Sequence, residues 1–151
     1  MADDHSYELI VTDAPPASAR AVIGEGLATY NDELTGISDR RDLGVLVQDA
    51  RSGAVLGGII GRTSLGLLFI DLVYLPKALR RDGLGSRMLA MAEDEGRARG
   101  CVSAMLFTIS FQAPDFYARH GWREFGRIPC KPEGTARIFF TKSLAHESPA
   151  A

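Results

Sequence analysis

The sequence predicts an α/β protein of the mixed α+β kind, a central mixed β-sheet of about six to seven strands flanked by helices. Three stretches carry that reading. Residues 65–75, LGLLFIDLVYL, are apolar almost without a break, the pattern of a strand covered on both faces. After Pro76 and a basic turn, Leu84, Met88, Met91 and Ala92 recur on one face of a helix that Gly100 closes. Residues 101–109, CVSAMLFTI, form the next strand, and a right-handed crossover through the helix makes it parallel to 65–75. Two parallel neighbours joined this way can splay at their carboxyl ends, leaving a ligand crevice in the middle of the sheet.

The other elements fall in order around this unit. Residues 7–11, YELIV, read as a first strand ended by Pro15-Pro16, and residues 18–30 as a helix with Ser18 as its N-cap, weakened by Gly24 and Gly26. Residues 30–33 close that helix and lead into a polar stretch, 35–42, with the composition of a loop or a short helix. The β-rich runs 43–48 and 54–62, separated by a turn-forming DARSG, form an antiparallel hairpin, and Gly57, Gly58 and Gly61 inside the second run signal close packing or a bulge. Pro114 starts a short helix that Gly121 ends, and 122–128 and 135–144 form the last two strands. A single domain with an ordered core of about residues 6–144 is expected, the tail from Ala145 having little to pack.

Composition excludes several classes. Lys and Arg number 17 against 19 Asp and Glu, a formal net charge of -2, so the molecule as a whole has no electrostatic reason to seek nucleic acid or an anionic membrane. No apolar run reaches membrane length, and Met1 to His5 lacks the basic-then-apolar start of a signal peptide, which favours a cytoplasmic protein. Cys101 and Cys130 have no CxxC spacing, and His5, His120 and His146 form no ligand motif, so free thiols and no metal are expected.

The turn after the central strand is where chemistry can enter. The first amides of a helix lack intrahelical acceptors and carry the positive end of its dipole. Gly83 and Gly85 let backbone approach a ligand, and Lys77, Arg80, Arg81 and Arg87 concentrate positive charge there, so a phosphate or pyrophosphate suits the site. The same residues also fit a plain strand-to-helix turn with solvated arginines. A P-loop is absent, and Met88 occupies the position where a dinucleotide fingerprint needs a small residue. Asp71, the only charge in the apolar run 65–75, must be neutralised, hydrogen-bonded or facing a wet cleft; it is a candidate functional carboxylate, or a group that hydrogen-bonds the neighbouring loop or binds an arginine.

The run Arg80-Arg81-Asp82-Gly83-Leu84-Gly85 fits R-x-x-G-x-G and resembles the acetyl-CoA signature of the GNAT superfamily of N-acetyltransferases. Residues 113–122, APDFYARHGW, resemble that family's FY-x-x-x-G-F segment with Trp122 in place of Phe, and with the order of elements the likeness spans roughly 7–144. It implies acetyl-CoA as co-substrate and no metal. Its diphosphate would lie on Arg80, Arg81, Asp82, Gly83, Leu84, Gly85 and Ser86, and its pantetheine arm beside the backbone of Leu72, Val73, Tyr74 and Leu75. Tyr117 matches the tyrosine that protonates the departing thiolate, and for such a transfer Asp71 is the leading candidate base for deprotonating the amine, with Glu33 as the weaker alternative. Ser110 stands in for an asparagine common in the family just after the second splayed strand, with Gln112 nearby, and Arg81 replaces a frequent glycine. In such proteins the loop after the first helix walls the acceptor cleft, which points to Tyr30, Asn31 and Glu33 for a polar or cationic substrate; Asn and Asp at a helix end also commonly make only local bonds. The implied activity is transfer of acetyl to a primary amine of a small molecule or peptide by direct attack, with a non-catalytic acyl-CoA-binding or regulatory module as the alternative. A homodimer through the final hairpin is left open.

Overall fold

The structure, a computed structural model, describes residues 6–145; Met1 to His5, His146 and the rest of the C-terminal tail lie outside the described residues. The chain divides into two compact units, Met1–Ser38 and Asp39–Ala151.

The first unit holds one helix, α1, Ala17–Thr35. Ser18 is not its N-cap: Pro16 holds that position in extended backbone, and its carbonyl accepts the first bond, from Ala19 N at 2.9 Å. The helix runs past the expected end at Tyr30, because helix-tolerant Asp and Glu do not stop it and Gly36 does, in the left-handed region with its amide on Asp32 O at 2.8 Å. Ile23, Leu27, Tyr30 and Leu34 fall on one apolar stripe. The strand expected at Tyr7–Val11 does not form. Strand propensity expresses fit to a pleated, half-buried surface, and these residues are exposed.

The second unit contains β1 Arg41–Gln48, β2 Val55–Ser64, β3 Leu67–Tyr74, α2 Leu84–Ala98, β4 Ser103–Ile109, α3 Pro114–Arg119, β5 Arg123–Pro129 and β6 Ala136–Ser143. The six strands form one sheet in the order β1-β2-β3-β4-β6-β5. Neighbours are antiparallel except β3 and β4, which the α2 crossover makes parallel as the sequence predicts. Helix α2 lies across β1 to β3, and Met88, Leu89 and Ala92 join Leu68, Ile70, Leu106 and Phe140 in one core.

Three sequence readings are corrected here. The central strand begins at Leu67, since Leu65 and Gly66, at φ 49° and 77°, form the two-residue hairpin turn, with Leu65 N held by Asp39 Oδ1 at 3.0 Å. That strand is not covered on both faces: Leu68 and Ile70 are buried, but Asp71, Leu72, Val73 and Tyr74 are exposed. Met91 is exposed as well, because the stripe that α2 buries runs through Met88, Leu89, Ala92, Glu93 and Gly96. A charged residue enters that stripe because Glu93 is ion-paired to Lys142 of β6.

Candidate active site

The exposed end of β3 follows from how the sheet is paired. Parallel pairing of β3 with β4 is confined to Leu67–Phe69 against Ser103–Met105 and then stops. On the other side, Gly61 faces Ile70 and Ile60 faces Leu72, so Asp71 is the extra residue of a β-bulge. A Cβ at Gly61 would run into the backbone of Phe69 and Ile70, which is why glycine stands opposite the bulge. The bulge bends β3 as it loses its parallel partner, and the segment 72–75 emerges along a widening gap.

The far wall of the gap is the end of β4. Ser110 continues the ladder to β6: its amide donates to Ala136 O at 2.8 Å and its Oγ accepts from Ala136 N at 3.0 Å, leaving the hydroxyl hydrogen for another acceptor. Alternation then turns the Ile109 amide toward the side away from β6, where Gln112 Oε1 accepts it at 2.9 Å together with the Thr108 hydroxyl at 2.9 Å. Gln112 thereby satisfies a strand amide facing away from β6.

Between β3 and α2 the chain makes a 3₁₀ turn, Lys77–Leu79, followed by two residues in the left-handed region, Asp82 at φ 64° and Gly83 at φ 72°. Arg81 is not among the residues with positive φ, so it replaces glycine without strain, and the unusual backbone falls on Asp82 instead. Gly83 is the N-cap of α2 and supplies no side-chain cap, so the amides of the first turn have no partner from a capping side chain. Arg80 Nε donates to Leu75 O at 2.8 Å, tying this turn to the end of β3, while Arg81 and Arg87 are exposed. At Gly85 a Cβ would meet Phe116 and Leu75 at 3.5 and 3.7 Å, ordinary contact distances. The same distances show that the start of α2, the end of β3 and α3 converge.

Helix α3 brings Tyr117 into this region. Its ring is buried against Phe116, Phe140 and Trp122 at centroid distances of 5.2, 5.9 and 6.3 Å, and burial pushes its phenol above the ordinary tyrosine range. It is a protonated group at neutral pH. Asp71 is engaged: Arg62 Nη1 lies 2.9 and 2.8 Å from its two carboxylate oxygens, and the same guanidinium sits 4.3 Å from the Phe69 ring centroid. The arginine partner anticipated for Asp71 is the one that forms. Tyr30, Asn31 and Glu33 lie within α1 rather than in a loop after it.

Two links escaped the sequence reading. Ser86 Oγ and His120 Nε2 are 2.9 Å apart, and Lys142 Nζ bridges Glu93 to the His120 carbonyl, the latter at 2.8 Å. Both join residues more than twenty apart, and no spacing in the chain announces them.

A mixed sheet whose one parallel pair ends early, an uncapped helix start that follows it and a buried phenol on the next helix make up the candidate site. The chain matches the model of the Acetyltransferase (GNAT) family over residues 10–122, and it belongs to that family. It is 35% identical over 119 residues to Acetyltransferase Atu2258 of Agrobacterium fabrum, covering 79% of this chain and 86% of that one. It is also 35% identical over 130 residues to Blasticidin-S acetyltransferase of Streptomyces morookaense, covering 78% and 96%. A crystal structure from Agrobacterium tumefaciens, assigned as an acetyltransferase, superposes with a TM-score of 0.83 at 32% identity, covering 91% of this chain and 99% of that one. The protein is therefore an acetyltransferase, and acetyltransferases of this fold use acetyl-CoA. Among the described residues no helix is long and apolar enough to cross a membrane.

Proposed function

We propose that this acetyltransferase moves the acetyl group of acetyl-CoA to a primary amine of a small polar molecule or peptide by direct attack, the whole chain working as one catalytic domain. The observation that carries the reading is the end of parallel pairing at Phe69 and Met105, next to a helix start with left-handed Asp82 and Gly83. Arg80, Arg81 and the amides from Asp82 to Ser86 hold the diphosphate. The backbone of Leu72, Val73, Tyr74 and Leu75, with the spare hydroxyl hydrogen of Ser110, lines the pantetheine arm. The coenzyme supplies the activated acyl carbon as a thioester.

A backbone amide near Tyr74 polarises the thioester carbonyl and holds the oxyanion that develops on attack. As the C–S bond breaks, Tyr117 gives its phenolic proton to the sulfur, a role supported by the burial that keeps the phenol protonated. The amine must lose a proton before it can attack. Asp71 receives it, and its ion pair with Arg62 is exposed enough for water to carry the proton there. Tyr30, Asn31 and Glu33 bear hydroxyl, amide and carboxylate groups suited to a polar or cationic acceptor. The 35% identity to an enzyme named for blasticidin S favours a small-molecule amine among the acceptors.

The test is release of free thiol from acetyl-CoA in the presence of an amine panel that includes blasticidin S, polyamines, amino acids and peptide N-termini. Amine-dependent release with a matching acetylated product is expected. Retention on immobilised CoA without release for any amine would overturn the reading.

A further inference from the structure

His120 has no part in the transfer just described, yet it is half-buried and its ring nitrogen meets a residue of the phosphate turn. Ser86 Oγ and His120 Nε2 are 2.9 Å apart, and the imidazole packs edge-on against Phe116 at 4.7 Å between centroids. Its backbone is held too: Lys142 Nζ donates to the His120 carbonyl at 2.8 Å and is ion-paired to the buried Glu93. Two fixings therefore join α3 to α2, one at Ser86 in the first turn and one two turns further on at Glu93. The ring is placed by its neighbours rather than by chance.

The donor and acceptor inventory decides what the pair can do. A serine hydroxyl has one hydrogen, and a neutral imidazole presents one N–H and one bare nitrogen. If Nε2 is bare, Ser86 gives its hydrogen to His120 and has nothing to offer an anion. If Nε2 carries the hydrogen, it donates to Ser86 Oγ, and the Ser86 O–H is released to donate elsewhere. An anion at the first turn of α2 selects the second arrangement, because only that one adds a donor.

We propose that His120 is a positioning residue for coenzyme binding: it donates through Nε2 to Ser86, so that the Ser86 hydroxyl donates to the coenzyme diphosphate. The inference rests on the reading that the diphosphate lies at residues 80–86. It deepens that reading by making affinity depend on a residue of α3.

The experiment measures KM and kcat with acetyl-CoA and, in parallel, with S-acetylpantetheine, which lacks the diphosphate, for wild type, His120→Ala, His120→Gln, Ser86→Ala and the double variant. Ser86→Ala is expected to raise KM for acetyl-CoA about tenfold, the low end for a hydrogen bond to a charged group, and His120→Ala by a smaller factor, because the Ser86 hydroxyl remains but is no longer held. The KM for S-acetylpantetheine should stay within about twofold, and His120→Gln, which keeps a side-chain N–H, should recover part of the affinity. The double variant should be no worse than Ser86→Ala, since His120 acts only through that hydroxyl. Equal losses with both thioesters would mean a merely structural role, and additive losses would mean no relay; either overturns the proposal. If wild type uses the two thioesters equally well, the diphosphate reading itself fails, an outcome separate from failure of the relay.

Discussion

Replacing Tyr117 with Phe isolates one oxygen atom. The ring packs against Phe116, Phe140 and Trp122 at 5.2, 5.9 and 6.3 Å, all of them contacts that phenylalanine keeps, so stability should change by no more than about 1 kcal/mol. What is lost is a proton donor. A thiolate with a pKa of about 8.5 can leave unaided at some rate, so removing a general acid should lower kcat by about ten- to a thousandfold, or about 1.4–4 kcal/mol in the barrier. The assay is thiol release from acetyl-CoA at saturating amine, with acetyl-CoA affinity measured alongside and expected to stay within about twofold. Burial raises the phenol's pKa, so the protonated form persists at neutral pH and is lost only as pH rises through that raised value, above about 10. The wild-type rate should therefore show no alkaline fall from this group below pH 10. An unchanged kcat, or a loss of coenzyme affinity in place of a loss of rate, would refute the assignment of Tyr117 as the acid.

Three further outcomes follow from the geometry. Gly83→Ala should cost about 1 kcal/mol and weaken acetyl-CoA binding, because φ 72° strains any side chain although nothing lies within 4 Å of the new Cβ; Gly85→Ala should be neutral or stabilising, since its Cβ would meet Phe116 at an ordinary 3.5 Å. Urea denaturation of the two variants should separate them in that order. Lys142→Met removes the ion pair from Glu93, whose side chain is only 6% exposed and whose other cation, Arg97 Nη2, stands off at 4.0 Å. A loss of about 3 kcal/mol is expected, at the low end for breaking a buried pair because Lys142 is partly solvated; a loss under about 1 kcal/mol would show that water takes over. Asp49 accepts from the amides of Ser52 and Arg51 at 2.8 and 2.9 Å, and these bonds hold its carboxyl below the ordinary range. A depressed carboxylate stabilises the fold above its unfolded pKa of about 4 and stops doing so as pH falls through the lower folded value. An NMR titration should place its midpoint below that of a free aspartate, and Asp49→Asn should remove this contribution to acid sensitivity.

Much of the fold was legible in the chain because its signals are local. The β1–β2 hairpin, the strand–turn–helix unit at 67–98, Pro114 at the start of α3 and Gly121 after it are written in patterns a few residues long, where periodicity and turn chemistry act directly. The signature at 80–85 and the segment 113–122 pointed to the acetyltransferase family for the same reason. Local signals also misled. Tyr7–Val11 has the composition of a strand but not the surface to form one, and α1 ran on to Gly36 because nothing before it stops a helix.

Tertiary structure alone decided the rest. How far β3 and β4 stay paired, the bulge that makes Asp71 an extra residue, its capture by Arg62, the burial of Glu93 beside Lys142, and the meeting of Ser86 with His120 all join separate segments of the chain. A local pattern constrains a residue's own φ, ψ and burial. Which distant side chain it meets depends on strand order, register and helix placement, and these are fixed only when the whole core is packed.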